Sequence, residues 1–351
     1  MSKKRKREPE PARLTLAGIY ENLADESEEQ RLRAAHSLLK DFEPKSTSVD
    51  QIKEIITRLF RGLCSSRKAA RLGFSVALTE YLVEVHVQRG VSIEIGLPAS
   101  LVLDILDNET TPEGNNSGQD ERDHYFGRLF GAEAVIKSNI LVKQQDLAQW
   151  KRLLDLISGI ANKKPWLKQE CGWILYNCIK SFAASGVAVP DDYALEVVEK
   201  LTAHKLIRTP EGLATWLEVS ENFPDAKLPK HVWKHRDPLS KGDIGLLADV
   251  LKDAKTRANS DEDEHKSQGK AIWSAQLHFA WDVVLARLYA QAAPTTNGTT
   301  NGTHPKSDHK TINLDTFWAK AVEGNKILNS SLLVKFKLTC NRKSPRTHKQ
   351  C

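Results

Sequence analysis

Apolar residues recur at i, i+3, i+4 and i+7 through most of the chain, and that one period rules out most folds at once. Ile52, Ile55, Ile56, Leu59, Phe60 and Leu63 show it most cleanly. The next segment carries one stripe at Ala70, Phe74, Ala77, Leu78, Tyr81 and Val85, and a second at Leu72, Val76 and Val83. Two stripes on one helix predict burial on two sides, as in a helix stacked between neighbours. Ser65 and Ser66 stand where that helix needs a cap.

The same grammar continues downstream. Pro98 opens a helix read through Leu106, and "NETTPEGNNSGQDERD" reads as a polar loop. "HYFGRLFGAEAVIKSNIL" is helical, with Gly127 and Gly131 four apart so that another helix can come close. Leu147, Trp150, Leu153, Leu154, Ile157 and Ile160 are in phase. Pro165 precedes "WLKQECGWILYNCIKSFAAS", and Pro190 precedes "DDYALEVVEKLTAH". Thr209 and Pro210 start "TPEGLATWLEVSENF" as cap and first helical residue. "DIGLLADVLKDA" and "AIWSAQLHFAWDVVLARLYAQ" follow as helices, and "VSIEI" is the nearest thing to a strand.

Helix pairs return about every 40 residues, the range of HEAT and armadillo units. The fold expected is all-α: an irregular armadillo/HEAT-like α-solenoid of antiparallel helix pairs, with a compact helical bundle as the alternative. The organisation read is a basic disordered tail over 1–12 and a helical region over 13–253. A charged linker over 254–270 and a helix over 271–290 that continues the solenoid come next. A low-complexity linker over 291–310, a short helix over 311–322 and a divergent basic tail over 323–351 complete it.

A net charge of +6 over 351 residues conceals an uneven distribution. Lys3, Lys4, Arg5, Lys6 and Arg7 supply five positive charges, and Lys335 onward supplies six more without an acid. Residues 8 to 334 therefore carry −5, and any nucleic-acid surface must come from local clusters. "KKRKR" reads as a nuclear localisation signal, and nothing apolar follows it as a secretory signal requires. No apolar run approaches the roughly 18 residues of a membrane span. The five cysteines Cys64, Cys171, Cys178, Cys340 and Cys351 form no C-x-x-C pair or zinc spacing. Cys171 and Cys178, seven apart on one helix face, read as buried thiols. The odd count fits a reducing compartment, which sets aside the glycosylation sequons at Asn108, Asn115, Asn297, Asn301 and Asn329.

Three cationic groups sit at turns. Arg58, Arg61, Arg67, Lys68 and Arg71 crowd the first, with no acid between Glu54 and Glu80. Lys163, Lys164 and Lys168 form the second, and Lys227, Lys230, Lys234, Arg236 and Lys241 the third. Turns line the edges of a helical solenoid, so these groups would form a basic track if stacking aligned them. The opposing reading is that each arginine pairs with acids of the next repeat, Arg67 and Arg71 reaching inward. The candidate nucleic-acid contacts are Arg58, Arg61, Lys68, Lys163, Lys164, Lys168, Lys230, Lys234 and Arg236. Trp150, Trp173, Trp216 and Trp281 fall within the apolar period and read as core. Trp166 and Trp233 neighbour basic turns, where stacking on bases competes with packing as the stronger reading.

The blocks "RLFRGLCSSRKAARLGFSVALTEYL", "ERDHYFGRLFGAEAVIKS", "KPWLKQECGWILY", "TPEGLATWL", "VWKHRDPLSKGDIGLLADVL" and "LHFAWDVVL" occur in this order between about residue 13 and residue 322. As a set they resemble the N-terminal part of the DNA polymerase phi / Myb-binding protein 1A family. The resemblance implies an armadillo-type helical fold and a nucleolar location. It also implies association with rDNA or pre-rRNA, and a role in rRNA transcription and ribosome biogenesis. Its partners would be rDNA or pre-rRNA and nucleolar transcription or ribosome-assembly proteins, with no membrane. Family members are usually much longer. After "FWAKAVE" the chain reads "GNKILNSSLLVKFKLTCNRKSPRTHKQC", which departs from the family, and a gene-model error is preferred over natural divergence.

The word "polymerase" raises an enzyme hypothesis that the residues do not support. Nucleotidyl transfer needs carboxylates holding two metal ions about 4 Å apart on a rigid scaffold. Asp261, Glu262, Asp263 and Glu264 lie in a polar linker, and Asp191 and Asp192 open a helix, where acids complement the dipole. No G-x-x-x-x-G-K-[ST] loop is present. His204, His231, His235 and His278 have no triad-like companions. The chain therefore reads as non-enzymatic, without cofactor or metal. A protein-interaction module that binds a transcription or assembly factor is the alternative to a nucleic-acid scaffold.

Overall fold

The computed structural model describes residues 15–43, 46–85, 97–112, 114, 118–184, 189–254, 278–292 and 314–323. The candidate strand, the "KKRKR" run, the 261–264 acids and the stretch after residue 323 lie outside these residues. Among the described residues the regular structure is helical, with no strand. The chain divides into two units, Met1–Ile160 and Ala161–Cys351.

The first unit is an irregular α-solenoid of three helix hairpins. They are α1 (Leu16–Leu23) with α2 (Glu28–Asp41), α3 (Val49–Leu63) with α4 (Lys68–Val83), and α5 (Ala99–Thr110) with α6 (Gly118–Ser138). A short α7 (Ile140–Lys143) and α8 (Leu147–Lys163) follow. The second helices begin at Glu28, Lys68 and Gly118, a repeat of 40 to 50 residues. They form one layer, with α2 on α4 and α4 on α6, while α3 packs on α5 in the other. The caps are local. Thr15 Oγ1 accepts from Gly18 N, and Ser48 Oγ accepts from Gln51 N.

Close helix approach depends on glycines. A Cβ added at Gly127 would lie 2.4 Å from Cys64 Sγ, and one at Gly131 would lie 2.6 Å from Leu106 Cδ1. The small pair therefore seats α6 against the α3–α5 layer, as its spacing implied. At Gly73 the added atom would fall 1.9 Å from the Leu23 carbonyl oxygen, so backbone itself rests on α4 there.

Three local expectations need correction. Leu72 and Val76 are 39% and 41% exposed. The row Lys68, Leu72, Val76, Glu80 faces outward while the first stripe is buried, because α1, α2, α3 and α6 cover the other sides of α4. The cap position of α4 is Arg67, not Ser65 or Ser66; Ser65 Oγ instead accepts from Arg67 N within the turn. The polar loop after Pro98 is shorter than read. Thr110 and Thr111 hydroxyls donate back to the Leu106 and Asp107 carbonyls at the end of α5, and Asp120 and Glu121 already lie in the first turn of α6.

The second unit is built around one helix. A 3₁₀ turn (Pro165–Leu167) leads into α9 (Lys168–Ala184), followed by α10 (Asp191–Ala203) and α11 (Pro210–Asn222). Then come α12 (244–254), α13 (Phe279–Ala292) and α14 (Leu314–Phe317), the last continued by a wider helical turn, Trp318–Glu323. α11 packs on α9, α10 and α13, and it is buried at every position from Pro210 to Leu217. Its start is as the sequence predicts: Thr209 Oγ1 accepts from Gly212 N, with Pro210 behind it. Cys171 and Cys178 are free thiols in the core, and burial raises the pKa of both.

Candidate nucleic-acid interface

The three cationic groups meet different fates. At the first corner Arg61 pairs with Glu109 at 2.8 Å, joining the end of α3 to the end of α5. Arg67 donates to the Ala24 carbonyl and to Glu26, joining the turn to the previous hairpin. Arg71 donates to the Ser65 carbonyl at 2.6 Å, lies 3.6 Å from Asp123, and stands over the Phe126 ring. Arg58 lies over the Tyr20 ring at 5.7 Å. Lys68 alone of the five is exposed without such a contact among the described residues.

This bracing extends beyond the corner. Arg128 Nη2 reaches Asp107 and the Thr111 hydroxyl, and Arg152 reaches Asp104 and Asp107 at 2.7 and 2.6 Å. The acids of α5 thus collect arginines from α3, α6 and α8. Inside the corner is a cleft of about 460 Å³ lined by Tyr20, Arg58, Arg61 and Cys64 among others. Burial, and secondarily Glu54, pushes the Tyr20 phenol up to about 12; burial, and secondarily Glu109, pushes the Cys64 thiol up to about 12. Neither group is ionised near neutral pH.

In the second group Lys163 is exposed, Lys164 and Lys168 are half-buried, and the first two have interactions of their own.

The third group is arranged otherwise. Between α11 and α12 the chain alternates anchors and charges. Leu228, Val232, Trp233 and Leu239 are buried, while Lys227, Lys230, Lys234, Arg236 and Lys241 are exposed with no side-chain partner among the described residues. The backbone beneath is tied at several points. Trp216 Nε1 donates to the Arg236 carbonyl at 3.2 Å. Arg208 Nη2 donates to the His231 and Val232 carbonyls at 3.2 and 3.1 Å. Asp237 accepts from Leu239 N, and Asp243 accepts from the Ser240 hydroxyl, so these two carboxylates are engaged locally. Arg236 holds a left-handed backbone at φ 60, which costs a non-glycine residue about 1–2 kcal/mol and is sustained by these ties.

Ammonium groups on a fixed backbone suit phosphate oxygens, since little order is lost on contact and each cation displaces condensed counterions. The predicted residues Lys230, Lys234 and Arg236 are brought together here, with Lys227 and Lys241. Sequence reading did not single out Arg208, whose role rests on carbonyls 23 and 24 residues away.

The tryptophans also sort themselves. Trp150, Trp216, Trp233 and Trp281 are fully buried, so packing accounts for Trp233. Trp166 is 44% exposed, and Trp173, read as core, is 46% exposed. On α9 the buried row is Cys171, Leu175, Cys178 and Phe182, and Trp173 lies nearly opposite it.

Among the described residues no three His, Cys, Asp or Glu side chains cluster as a metal site would require, and no helix is long and apolar enough to cross a membrane. The family model described as DNA polymerase phi matches residues 54–339. That match continues beyond residue 322, where the sequence read as leaving the family. The rDNA transcriptional regulator POL5 of Saccharomyces cerevisiae is 29% identical over 87% of this chain and 32% of its own length. The rDNA transcriptional regulator pol5 of Schizosaccharomyces pombe is 28% identical over 79% of this chain and 27% of its own. Myb-binding protein 1A of Mus musculus is 26% identical over 72% and 17%. The chain thus spans a third or less of these relatives. No solved structure matches it.

Proposed function

The chain belongs to the DNA polymerase phi family, and on that premise we propose that it is a non-catalytic helical scaffold that regulates rDNA transcription by holding rDNA or pre-rRNA. It acts in the nucleus, within the nucleolus, in support of ribosome biogenesis, and "KKRKR" directs its import. Two relatives named as rDNA transcriptional regulators support this reading. The observation that carries it is the loop of residues 227–241, which exposes five unpaired cations on an anchored backbone.

The test is Lys230→Gln, Lys234→Gln and Arg236→Gln together, with duplex rDNA titrated across a range of salt. The slope of log affinity against log salt should fall by roughly 0.9 per lost contact on duplex, about equally for every sequence, because phosphate contacts position without specifying. The melting temperature should stay within about 1 °C, as exposed charges contribute little to stability. An unchanged slope removes this loop from the interface.

A second reading has its own observation. Leu72 and Val76 lie in one exposed row on α4 between Lys68 and Glu80, a surface that suits a protein partner. Partner retention after neutralisation of the 230–236 cations would favour it.

A further inference from the structure

We propose that the exposed face of α9 is a stacking platform for the unpaired bases of a single-stranded nucleic acid. The inference rests on the nucleic-acid reading above and uses a different surface of the second unit. Trp166 and Trp173 are the only large hydrophobic side chains exposed among the described residues of that unit. Trp166 lies in the 3₁₀ turn Pro165–Leu167 that runs directly into α9, and Trp173 lies seven residues on, in the second turn of that helix. Lys180, seven residues further on, continues the row and is exposed.

The surroundings are polar rather than aliphatic. Gln169 and Asn177 stand beside the tryptophans, Lys163 and Lys164 precede Trp166, and Lys180 closes the far end. Of the acids nearby, Glu170 has an interaction of its own, and Glu218 and Glu221 are engaged beside Tyr176 and Arg287. Protein interfaces also favour aromatic residues but are depleted in lysine, and three lysines border these tryptophans. Two flat aromatic rings among amides and lysines instead match a base-stacking surface with backbone cations at its ends.

Trp173 is also held in place. Its ring meets the Phe279 ring edge-on at 5.1 Å and the Tyr176 ring at 5.8 Å, while nearly half its surface stays open. Tyr176 in turn meets the Phe279 ring at 5.6 Å, and Lys180 Nζ lies 6.0 Å from its ring centroid. The indole is thus pre-set from behind, which reduces the order lost when a base stacks on it. Four other tryptophans of this chain are fully buried, so exposure of these two is not a general property of its aromatics.

The experiment uses the full chain, with Trp166→Ala and Trp173→Ala combined, and Trp173→Phe as the conservative variant. Affinities are measured for a single-stranded RNA of about 15 nucleotides, the DNA strand of the same sequence, an abasic strand of equal length, and a DNA duplex. The double alanine variant should bind both natural single strands at least about tenfold more weakly, while duplex affinity changes less than about twofold. It should also lose the preference of the natural strand over the abasic one. Trp173→Phe, which keeps both the edge contact and an aromatic face, should retain most of the binding. If RNA and DNA strands respond alike, the platform reads bases alone; a loss confined to one adds recognition of its sugar. Unchanged single-strand affinity in the double variant overturns the proposal and leaves the face to a protein partner. An equal loss on duplex and single strand also overturns it, because the tryptophans then support the fold. If the wild type binds duplex through the 227–241 loop but the tryptophan variants show no selective loss, this inference fails alone. If the wild type binds no nucleic acid, both readings fail.

Discussion

Residues 58–71 and residues 227–241 each carry five lysines and arginines, and the two stretches hold them differently. In the corner, three arginines reach the carbonyls or carboxylates of neighbouring elements and Arg58 stands over an aromatic ring. In the loop, all five cations point to solvent while buried apolar residues between them hold the backbone. Four of the five in the corner are arginine, and four of the five in the loop are lysine. The guanidinium offers a rigid fork of donors that matches carbonyls and carboxylates, whereas the ammonium is a compact, strongly hydrated charge. Arg208, which holds two carbonyls of the loop, follows the same division of labour. A cluster of charge at a turn is therefore spent as a brace or left open to solvent according to which cation forms it and whether acids lie within reach.

The strongest test of the brace is Arg71→Ala. Arg71 and Asp123 are 12% and 8% exposed, so the change strands a buried carboxylate and should destabilise the protein by roughly 3 kcal/mol, read as a shift in urea midpoint. Arg71→Lys should recover only part of this. A loss below about 1 kcal/mol would make the corner as dispensable for folding as the loop.

Next in size is the contrast in binding. At moderate salt the triple glutamine variant of the loop should weaken duplex binding by about tenfold or more. Arg61→Gln, combined with Glu109→Gln in a double-mutant cycle, should change binding by less than about twofold, with a coupling energy of about 1 kcal/mol for a pair exposed on its arginine side only. Equal effects on binding at both sites would erase the distinction.

The smallest effect has opposite signs in its two readouts. Arg236→Gly relieves the left-handed backbone and removes a cation. Stability should rise by up to about 1 kcal/mol, because relieved strain slightly outweighs the added chain entropy of glycine. Duplex affinity should fall nonetheless. A concurrent loss of stability would mean that the Arg236 side chain holds the loop.

Much of the helical framework was legible in the sequence, because each helix carries its own period and start signals. Ile52 to Leu63 are buried as their spacing requires, Thr209 caps α11, and Gly127 and Gly131 admit a neighbouring helix. The site was legible only as lysines flanked by prolines. Period alone says which residues share a face, not whether another element covers it. That is why Leu72, Val76 and Trp173 read as core although they meet solvent.

The sequence by itself determined the helices, their pairing and the positions of the charge clusters, since these follow from contacts within a few residues along the chain. Only the tertiary structure decided which charges are spent on the fold. Arg61 meets Glu109 from 48 residues away, and Arg152 meets Asp107 from 45, through helices whose placement depends on packing elsewhere. The loop cations meet no such distant acid among the described residues, and the carboxylates of Asp237 and Asp243 beside them are engaged by the turns of the loop itself.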